Sequence, residues 1–286
     1  MNKSTYVTRS VKDFVDWLAQ RLCGAPIHFA APKAKPYQSL HDALAAYQWP
    51  PRFKAPLLVS VSGRPYIHPS LPSLLGGSNF AVNTASLSSL ENALSTSYTA
   101  GTSRSNQLAG AVAATFHWGG VYTKRGNGAW LLNNHHQLHG ILNGFVRDHA
   151  RGDDISTVPN LRFNSGMTKV YALLLSDFII YDSRVAAALA WMAHSWWTTW
   201  LKRSTLSFPA ELMFGCLAAN GSMAPFRNPD PTVFPTLRNS PYKHYTWNVR
   251  ANWILGDAHK LAGGISGFAN LREVEAALFQ MGDRVC

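Results

Sequence analysis

The chain has 286 residues, of which 47% are hydrophobic, and this is enough to bury one large core or two modest ones. A disordered main state is therefore excluded. The 26 Lys and Arg outnumber the 15 Asp and Glu, which gives a net charge of +11, so the protein attracts polyanions by releasing their condensed counterions. Nucleic acid is the leading expected partner, and the alternatives are a charge balance kept for solubility or an anionic membrane surface.

Positive charge is unevenly distributed along the chain. Residues 1–150 carry 13 basic and 5 acidic side chains, whereas residues 151–286 carry 13 and 10. The polar break "RGDDISTVPN" at 151–160 falls where this balance changes. We therefore predict a basic, mostly helical subdomain at 1–150, with a Pro/Ser/Gly-rich stretch at 50–85, and a second helical subdomain at 151–286.

The first segment, "MNKSTYVTRSVKDFVDWLAQRLC", has the periodicity of an amphipathic helix and lacks the features of a secretory signal. One side of this predicted helix is apolar and consists of Val7, Val11, Phe14, Val15, Leu18 and Leu22. We therefore expect a cytoplasmic protein. The widely spaced cysteines, Cys23, Cys216 and Cys286, indicate reduced thiols rather than a zinc site or an iron–sulfur cluster, so no cofactor is expected.

Two helices with clear boundary signals flank a long loop. "SLHDALAAYQW" begins at Ser39, a capping residue, with Asp42 three positions later in a variant of the capping box. "NQLAGAVAATFHWGG" runs over 106–120 and closes on a glycine pair that favours a helix end. Between them, at 49–86, proline, serine and glycine predict a loop with one short strand in "PLLVSVS".

The next predicted helix, "LLNNHHQLHGILNGFVRDHA", contains histidines. His135 and His139 are four residues apart, so one helical face would bring them together as metal ligands. No carboxylate or cysteine completes such a set nearby. We therefore expect polar surface or core histidines here, and no metal site.

The segment "NSGMTKVYALLLSDFIIYDSRVAAALAWMA" contains two helices in succession. A polar turn with a glycine, at 164–168, precedes an apolar helix that starts at about Lys169, and Ser176 and Asp177 interrupt it. "FIIY" then leads to an alanine-rich helix with Asp182 at its N-cap position.

The last third of the chain combines a loop with a closing helix. Proline marks a long loop, "APFRNPDPTVFPTLRNSP", at 224–241, and "NLREVEAALFQMG" predicts a capped helix that ends at Gly282. The stretch closest to a membrane span, 170–193, is interrupted by three charges that are costly at mid-bilayer, so we expect no membrane partner. Helical periodicity dominates throughout, and the predicted fold class is mainly α.

The aspartate at position 182 has two explanations. As an N-cap, Asp182 accepts hydrogen bonds from orphan backbone N–H groups and meets the positive end of the helix dipole, which suffices as a structural role. The same geometry keeps a carboxylate charged at the edge of an apolar wall, where it would stabilise a cation formed in a cleft. A positively charged protein bound to DNA would use it on a sugar.

The residues "SGMTKV" followed by "IIYDSRVAAAL" resemble the hairpin, helix and catalytic aspartate of the helix-hairpin-helix DNA glycosylases, most closely the oxoguanine-glycosylase-like fold. The resemblance covers residues 160–195. It implies a bundle of two helical subdomains with a cleft between them. It assigns Asp182 to the aspartate that assists glycosidic cleavage and Lys169 to the lysine that serves some members as nucleophile.

The basic, mostly α chain with "WGGV" at 118–121 further resembles bacterial anti-phage glycosylases that remove glucosylated hydroxymethylcytosine from phage DNA. This resemblance implies base flipping and excision of a modified cytosine, which leaves an abasic site and blocks phage replication. The implied activity is that of a DNA N-glycosylase, a hydrolase acting on N-glycosyl bonds, and AP-lyase activity stays open. Double-stranded DNA is the expected partner, and no obligate protein partner is evident.

Five residues are candidates for contacts with the DNA backbone. Ser165, Gly166 and Thr168 precede or begin a helix, and a helix N-terminus binds phosphate without any further device. Lys124 and Arg125 lie in the glycine-rich segment "GGVYTKRGNGAW", which suits either phosphate contacts or a solvated hairpin.

Three further residues have more than one possible role. To attack the sugar, Lys169 would need its pKa to fall by about three units from roughly 10.4, which requires burial or a cationic neighbour, and the alternative is a phosphate or base-pocket contact. Arg184 would form an ion pair with Asp182 or contact DNA. Trp118 is the candidate for holding a flipped base, with a core position as its alternative.

Two other classes of function remain. A noncatalytic DNA- or RNA-binding protein explains the charge and the hairpin equally well, and an Asp182→Asn variant would then act as before. A nuclease is less favoured, because clustered carboxylates that bind magnesium are absent apart from Asp153 and Asp154.

Overall fold

The computed structural model of the chain is mainly helical, as predicted. It describes residues 2–30, 36–49, 59–61, 64–66, 79–122, 125–217, 227–237 and 240–286. The α-helices are α1 (Lys3–Tyr6), α2 (Arg9–Leu22), α3 (Leu40–Ala45), α4 (Phe80–Thr99), α5 (Ser105–Trp118), α6 (Asn127–Asn134), α7 (Leu138–Arg151), α8 (Met167–Leu174), α9 (Ser183–Ser195), α10 (Pro241–Ala262) and α11 (Leu271–Met281). A short antiparallel pair, β1 (Val59–Val61) and β2 (Arg64–Tyr66), confirms the strand predicted in "PLLVSVS".

Several helix boundaries coincide with the capping signals in the sequence. The Ser39 Oγ accepts from the Asp42 N–H at 3.1 Å, and the Asp42 carboxylate accepts from the Ser39 N–H at 2.9 Å, which completes the predicted capping box. Helix α5 ends beside Gly119, and α11 begins after Asn270 and ends before Gly282. Side-chain hydrogen bonds therefore fix the starts of α3 and α11.

Two predicted boundaries are wrong. The segment expected to form one helix after Trp130 is divided into α6 and α7 by a 3₁₀ turn, His135–Gln137. The Asn134 Nδ2 donates to the Trp130 carbonyl at 2.7 Å, and the Gln137 Nε2 donates to the Asn134 Oδ1 at 2.8 Å. Polar side chains here bond to their own local backbone and to each other, which competes with helix propagation.

The other wrong boundary lies at the start of α4. The Pro/Ser/Gly-rich stretch was expected to continue as loop to residue 85, but α4 begins at Phe80. The Asn79 Oδ1 accepts from the Val82 N–H at 3.1 Å and caps the helix. A further, smaller difference is that the N-terminal helix is interrupted between Tyr6 and Arg9.

The chain folds into two compact units. Unit 1 comprises Gln48–Phe178, and unit 2 comprises Asn2–Tyr47 together with Ile179–Cys286. These boundaries differ from the division at residue 150 that the charge balance suggested. The physical reason lies in unit 2, where α2 packs on α10 and α3 packs on α11, so both ends of the chain share one core.

Each unit has its own buried core. In unit 1, α4 packs against α5 and α8, and an aromatic cluster includes Phe145 and Tyr171, whose ring centroids are 3.9 Å apart. In unit 2, α9 packs against α11, and residues 185–190 of α9 are all buried, as its alanine content allows. No helix in the described part of the chain combines the length and apolarity that crossing a bilayer requires.

Candidate functional site

The backbone just before the candidate aspartate is held by polar side chains of α10. The Asn252 Oδ1 accepts from the Ile179 N–H at 2.8 Å, and the Asn248 Nδ2 donates to the Ile179 carbonyl at 3.1 Å. The His244 Nε2 donates to the Tyr181 carbonyl at 2.9 Å. Because the three α10 residues are spaced four apart, they lie on one helical face and bind the extended segment in series.

A buried carboxylate on α11 completes this support. The Glu275 Oε2 accepts from the Ile180 N–H at 2.7 Å and from the Arg272 Nη1 at 2.6 Å. Burial raises the pKa of Glu275, the Arg272 charge and the Ile180 hydrogen bond oppose the rise, and the charge of Asp182 adds to it. Glu275 therefore anchors the segment to α11 and interacts electrostatically with Asp182.

Asp182 is the N-cap of α9, which confirms the position predicted from sequence. Its Oδ1 accepts from the Arg184 N–H at 2.9 Å and from the Val185 N–H at 3.2 Å, and its carbonyl accepts from the Ala186 N–H at 2.9 Å. The side chain is half-buried. The carboxylate is thus fixed at the positive end of the α9 dipole.

Two arginines and an aspartate lie against the first turn of α9. The Arg184 and Arg227 Nη2 atoms lie 2.8 and 2.9 Å from the Asp283 Oδ1, and the Arg227 Nη1 donates to the Ser183 Oγ at 2.8 Å. The Arg184 guanidinium also lies 4.5 Å from the centroid of the Phe279 ring. The sequence predicted that Arg184 pairs with Asp182 or contacts DNA, whereas the ion pair seen here joins Arg184 to Asp283.

The end of α11 packs directly on the first turn of α9. A Cβ at Gly282 would overlap the Arg184 carbonyl oxygen. Only glycine allows this close approach of the two backbones. Gly282 therefore helps to set the position of the helix that Asp182 caps.

Lys169 belongs to unit 1, whereas Asp182 belongs to unit 2, so each is described within its own unit. Lys169 lies in the first turn of α8, is 2% exposed, and donates from Nζ to the Ser165 carbonyl at 2.9 Å. Its aliphatic stem passes over Gly119, where a Cβ would overlap the Lys169 Cδ. The burial required for lysine chemistry is present, and the amine is bonded to its own turn.

The predicted phosphate-binding turn is closed by Asn164. Its Oδ1 accepts from the Gly166 N–H at 2.9 Å and from the Met167 N–H at 3.0 Å, while its carbonyl accepts from the Thr168 N–H at 2.9 Å. The Thr168 side chain is fully buried and donates to the Ser165 carbonyl at 3.3 Å. These backbone donors are used within the turn, and a phosphate would have to replace Asn164 to reach them.

Asn127 joins this turn to the glycine-rich loop. Its Oδ1 accepts from the Arg162 Nε at 2.6 Å and from the Asn164 Nδ2 at 2.9 Å, and its Nδ2 donates to a carbonyl of the loop at 3.0 Å. Arg125, two residues earlier, is exposed, whereas Lys124 lies outside the described residues. Of the two basic candidates in this loop, Arg125 is therefore the one placed at the surface of unit 1.

Trp118 is part of the interior of unit 1. It is 4% exposed and stacks on Trp49 with a centroid distance of 4.9 Å and an interplanar angle of 5°. Its Nε1 donates to the Asn83 Oδ1 at 3.0 Å. A flipped base that stacks on the same face of Trp118 would have to displace Trp49.

The comparisons with known proteins add no family. No protein-family model, curated protein or solved structure matches the chain. The functional conclusion therefore depends on the residues and contacts of the molecule itself.

The two histidines that were weighed as metal ligands lie on different elements. His135 belongs to the 3₁₀ turn and bonds to the Leu132 carbonyl, whereas His139 lies on α7 against the Tyr98 ring. Among the residues that the structure describes, no three His, Cys, Asp or Glu side chains come together as a metal site.

The polar face of α10 is the part of the site that sequence reasoning missed. His244, Asn248 and Asn252 recur every four residues within a helix whose other buried positions are mostly apolar or aromatic. That spacing was a visible signal of a buried polar stripe. Its function as a support for residues 179–181 was not visible, because the partner is a backbone segment 63 to 73 residues earlier in the chain.

Proposed function

We propose that the protein is a DNA glycosylase of the helix-hairpin-helix type that flips out and excises a modified base, with Asp182 as the catalytic carboxylate. The observation that carries the proposal is the support of Asp182. It caps α9 at the end of a backbone segment that four buried polar side chains hold in place. A catalytic group needs such support, because small displacements from the productive geometry lose activity.

The proposed chemistry follows from the charge that develops in the reaction. When the N-glycosidic bond breaks, the base leaves with the bonding electrons, and the deoxyribose becomes oxocarbenium-like. A carboxylate beside C1′ stabilises this positive charge, and it also orients or deprotonates the attacking water. Water then adds to C1′, the proton that it releases passes by way of Asp182 to the departed base, and an abasic site remains.

In this proposal water, rather than Lys169, is the nucleophile. An attacking amine has to reach C1′ without its proton, but the Lys169 Nζ donates to the Ser165 carbonyl and its side chain is 2% exposed. Borohydride treatment of an active preparation is expected to trap no covalent DNA adduct. An adduct that forms with the native protein and is lost in Lys169→Gln would contradict water as the nucleophile.

The partner is proposed to be double-stranded phage DNA that carries glucosylated hydroxymethylcytosine. The net charge of +11 and the exposed Arg125 in the glycine-rich loop support DNA as the partner. The modified base is proposed from the resemblance of "WGGV" at 118–121 to the anti-phage glycosylases. Phosphate contacts position such a protein on DNA, and contacts with the flipped base determine which base is excised.

A second candidate is a noncatalytic nucleic-acid-binding protein. It is favoured by one observation, that the two backbone hydrogen bonds to the Asp182 Oδ1 are those of an ordinary helix cap. In this case the positive charge of the protein alone explains its binding to nucleic acid, and the Asp182 carboxylate has no chemical role.

The decisive experiment offers the protein three phage DNAs, with ordinary cytosine, hydroxymethylcytosine or its glucosylated form. Abasic sites and released bases are measured by mass spectrometry. We expect base release from the glucosylated DNA alone. Binding of all three DNAs without release of any base would favour the noncatalytic candidate.

A further inference from the structure

An exposed tryptophan follows α9 on a π-helical turn, Trp196–Trp200. Trp200 is 42% exposed, yet the Arg21 guanidinium lies 4.3 Å from its ring centroid and Trp17 meets it edge-on at 6.0 Å. Arg21 is itself buried and donates to the Pro26 carbonyl at 2.7 Å. The Trp200 ring is therefore held in place while much of it remains in contact with solvent.

Two basic residues follow in an exposed loop. Lys202 and Arg203 are both exposed, and the Arg203 guanidinium lies 5.2 Å from the centroid of the Trp197 ring. The loop is folded back on the π-helical turn, because the Arg203 N–H donates to the Trp197 carbonyl at 3.0 Å and the Trp197 Nε1 donates to the Leu206 carbonyl at 3.4 Å. The sequence at 195–210 contains no aspartate or glutamate.

The backbone at Lys202 is left-handed, with a φ of 52°. Residues other than glycine rarely adopt this conformation, whereas glycine adopts it without steric cost. Lys202 directly follows the C-cap of the π-helical turn, where helices commonly end in this conformation, so glycine would fit this position better.

We propose that Trp200, Lys202 and Arg203 form a binding surface for an unpaired stretch of DNA. One base stacks on the exposed part of the Trp200 ring, and the two cations bind the adjacent phosphates. An exposed aromatic ring beside basic side chains is the combination with which proteins bind single strands. The two adjacent cations, in a protein with a net charge of +11, favour a polyanion over an apolar partner.

This surface lies at the far end of α9 from Asp182. The 13 residues of the helix span about 20 Å, roughly six nucleotide steps of about 3.4 Å, so the surface contacts nucleotides some distance along the strand rather than the target itself. The choice of DNA rather than RNA as the partner rests on the proposed function. The preference for an unpaired stretch rests on the exposed ring, on which a base can stack only where it is not held within a duplex.

The test measures binding of a labelled single-stranded oligonucleotide and of its duplex by fluorescence anisotropy over a range of salt concentrations. We expect Trp200→Ala to weaken single-strand binding by about 5- to 150-fold, and Trp200→Phe to retain most of the affinity. A plot of log K against log salt has a negative slope, and we expect Lys202→Gly and Arg203→Ala each to make that slope shallower by about 0.7. Because glycine relieves the strained backbone, Lys202→Gly is not expected to lower the unfolding temperature.

Matched controls come from α10 of the same unit. Lys243→Ala and Lys260→Ala remove the same charge from exposed positions, and Tyr242→Ala removes an exposed aromatic ring. We expect these variants to bind the single strand as the native protein does. If the control variants lost as much single-strand affinity as the loop variants, or if Trp200→Ala bound the single strand as tightly as the native protein, the proposed surface would be overturned.

The outcome is separable from that of the proposed function. If Trp200→Ala binds normally while base release depends on Asp182, the surface is rejected and the glycosylase remains. If no base is released but the loop variants lose single-strand affinity, the surface remains and the glycosylase is rejected.

Discussion

At the residue scale, the hydrogen bonds of Asp182 allow its structural and chemical roles to be separated. The Oδ1 accepts from two backbone N–H groups, and an asparagine carbonyl accepts from the same groups equally well. The charge, by contrast, belongs to aspartate alone. Asp182→Asn therefore keeps the cap and removes the proposed catalytic charge.

The stability of the Asp182 variants follows from this distinction. We expect Asp182→Ala to lower the free energy of unfolding by about 0.5–2 kcal/mol, because the cap is lost. We expect Asp182→Asn to lower it by less, about 0.3–1 kcal/mol, because only the interaction of the charge with the helix dipole is lost. Urea denaturation of the two variants measures this difference. Equal destabilisation by both would show that charge, not capping, supports the helix.

Glu275 gives a pH dependence with a definite sign. Because burial raises its pKa above the unfolded value of 4.5, the folded state binds this proton more tightly. The contribution of Glu275 to the free energy of unfolding therefore falls as pH rises from 4.5 to the pKa of the folded state. The fall is at most about 1.4 kcal/mol per pH unit.

The measurement compares the native protein with Glu275→Gln from pH 4 to pH 7. The variant keeps the size of the side chain but cannot titrate. We therefore expect its free energy of unfolding not to show this fall as pH rises. Denaturation midpoints that change in parallel for the two proteins would contradict a raised pKa.

At the scale of the secondary-structure elements, the contact between α9 and α11 is the most sensitive junction near Asp182. We expect Gly282→Ala to destabilise the protein by about 1–3 kcal/mol, because the new Cβ overlaps the Arg184 carbonyl. The first turn of α9 then shifts, and base release falls together with stability.

Gly256 provides the matched control for this substitution. It lies within α10, and a Cβ at this position meets no atom within 4 Å. Gly256→Ala is expected to stabilise the protein by about 0.4–1 kcal/mol, as alanine restricts the unfolded chain and favours a helix. If Gly282→Ala were as well tolerated as Gly256→Ala in thermal unfolding, the close approach of α9 and α11 would not matter.

Three helix starts with local capping chemistry were predicted well from the sequence, whereas the start of α4, which Asn79 caps, was not. Ser39, Asp182 and Asn270 each carry a side chain that bonds to the first turn of its own helix, so the signal and its partner lie within a few residues. The break at Asn134 was missed because asparagine is also compatible with a helix interior. Whether it caps, breaks or continues a helix depends on packing that the local sequence does not contain.

At the scale of the whole molecule, the missed features depend on contacts between distant parts of the chain. Charge balance suggested a division at residue 150, but unit 2 is built from both ends of the chain, with α2 against α10. The support of residues 179–181 has the same origin, since side chains of α10 and α11 supply its hydrogen bonds. Periodicity and capping describe single elements, and they do not specify which elements share a core.

The overall charge leads to a prediction about DNA affinity. If the protein neutralises six or more phosphates, raising salt from about 50 to about 200 mM lowers the affinity for duplex DNA by roughly 10³-fold or more. Anisotropy titrations at several salt concentrations measure the slope directly. Binding that does not depend on salt would contradict the electrostatic basis of the proposed partnership.

The most direct test of the central claim is single-turnover base release by Asp182→Asn, on the DNA that the native protein processes. We expect release to slow by about 10²-fold or more, with DNA affinity and unfolding temperature close to those of the native protein. Release by Asp182→Asn at the native rate would contradict a catalytic role for the carboxylate.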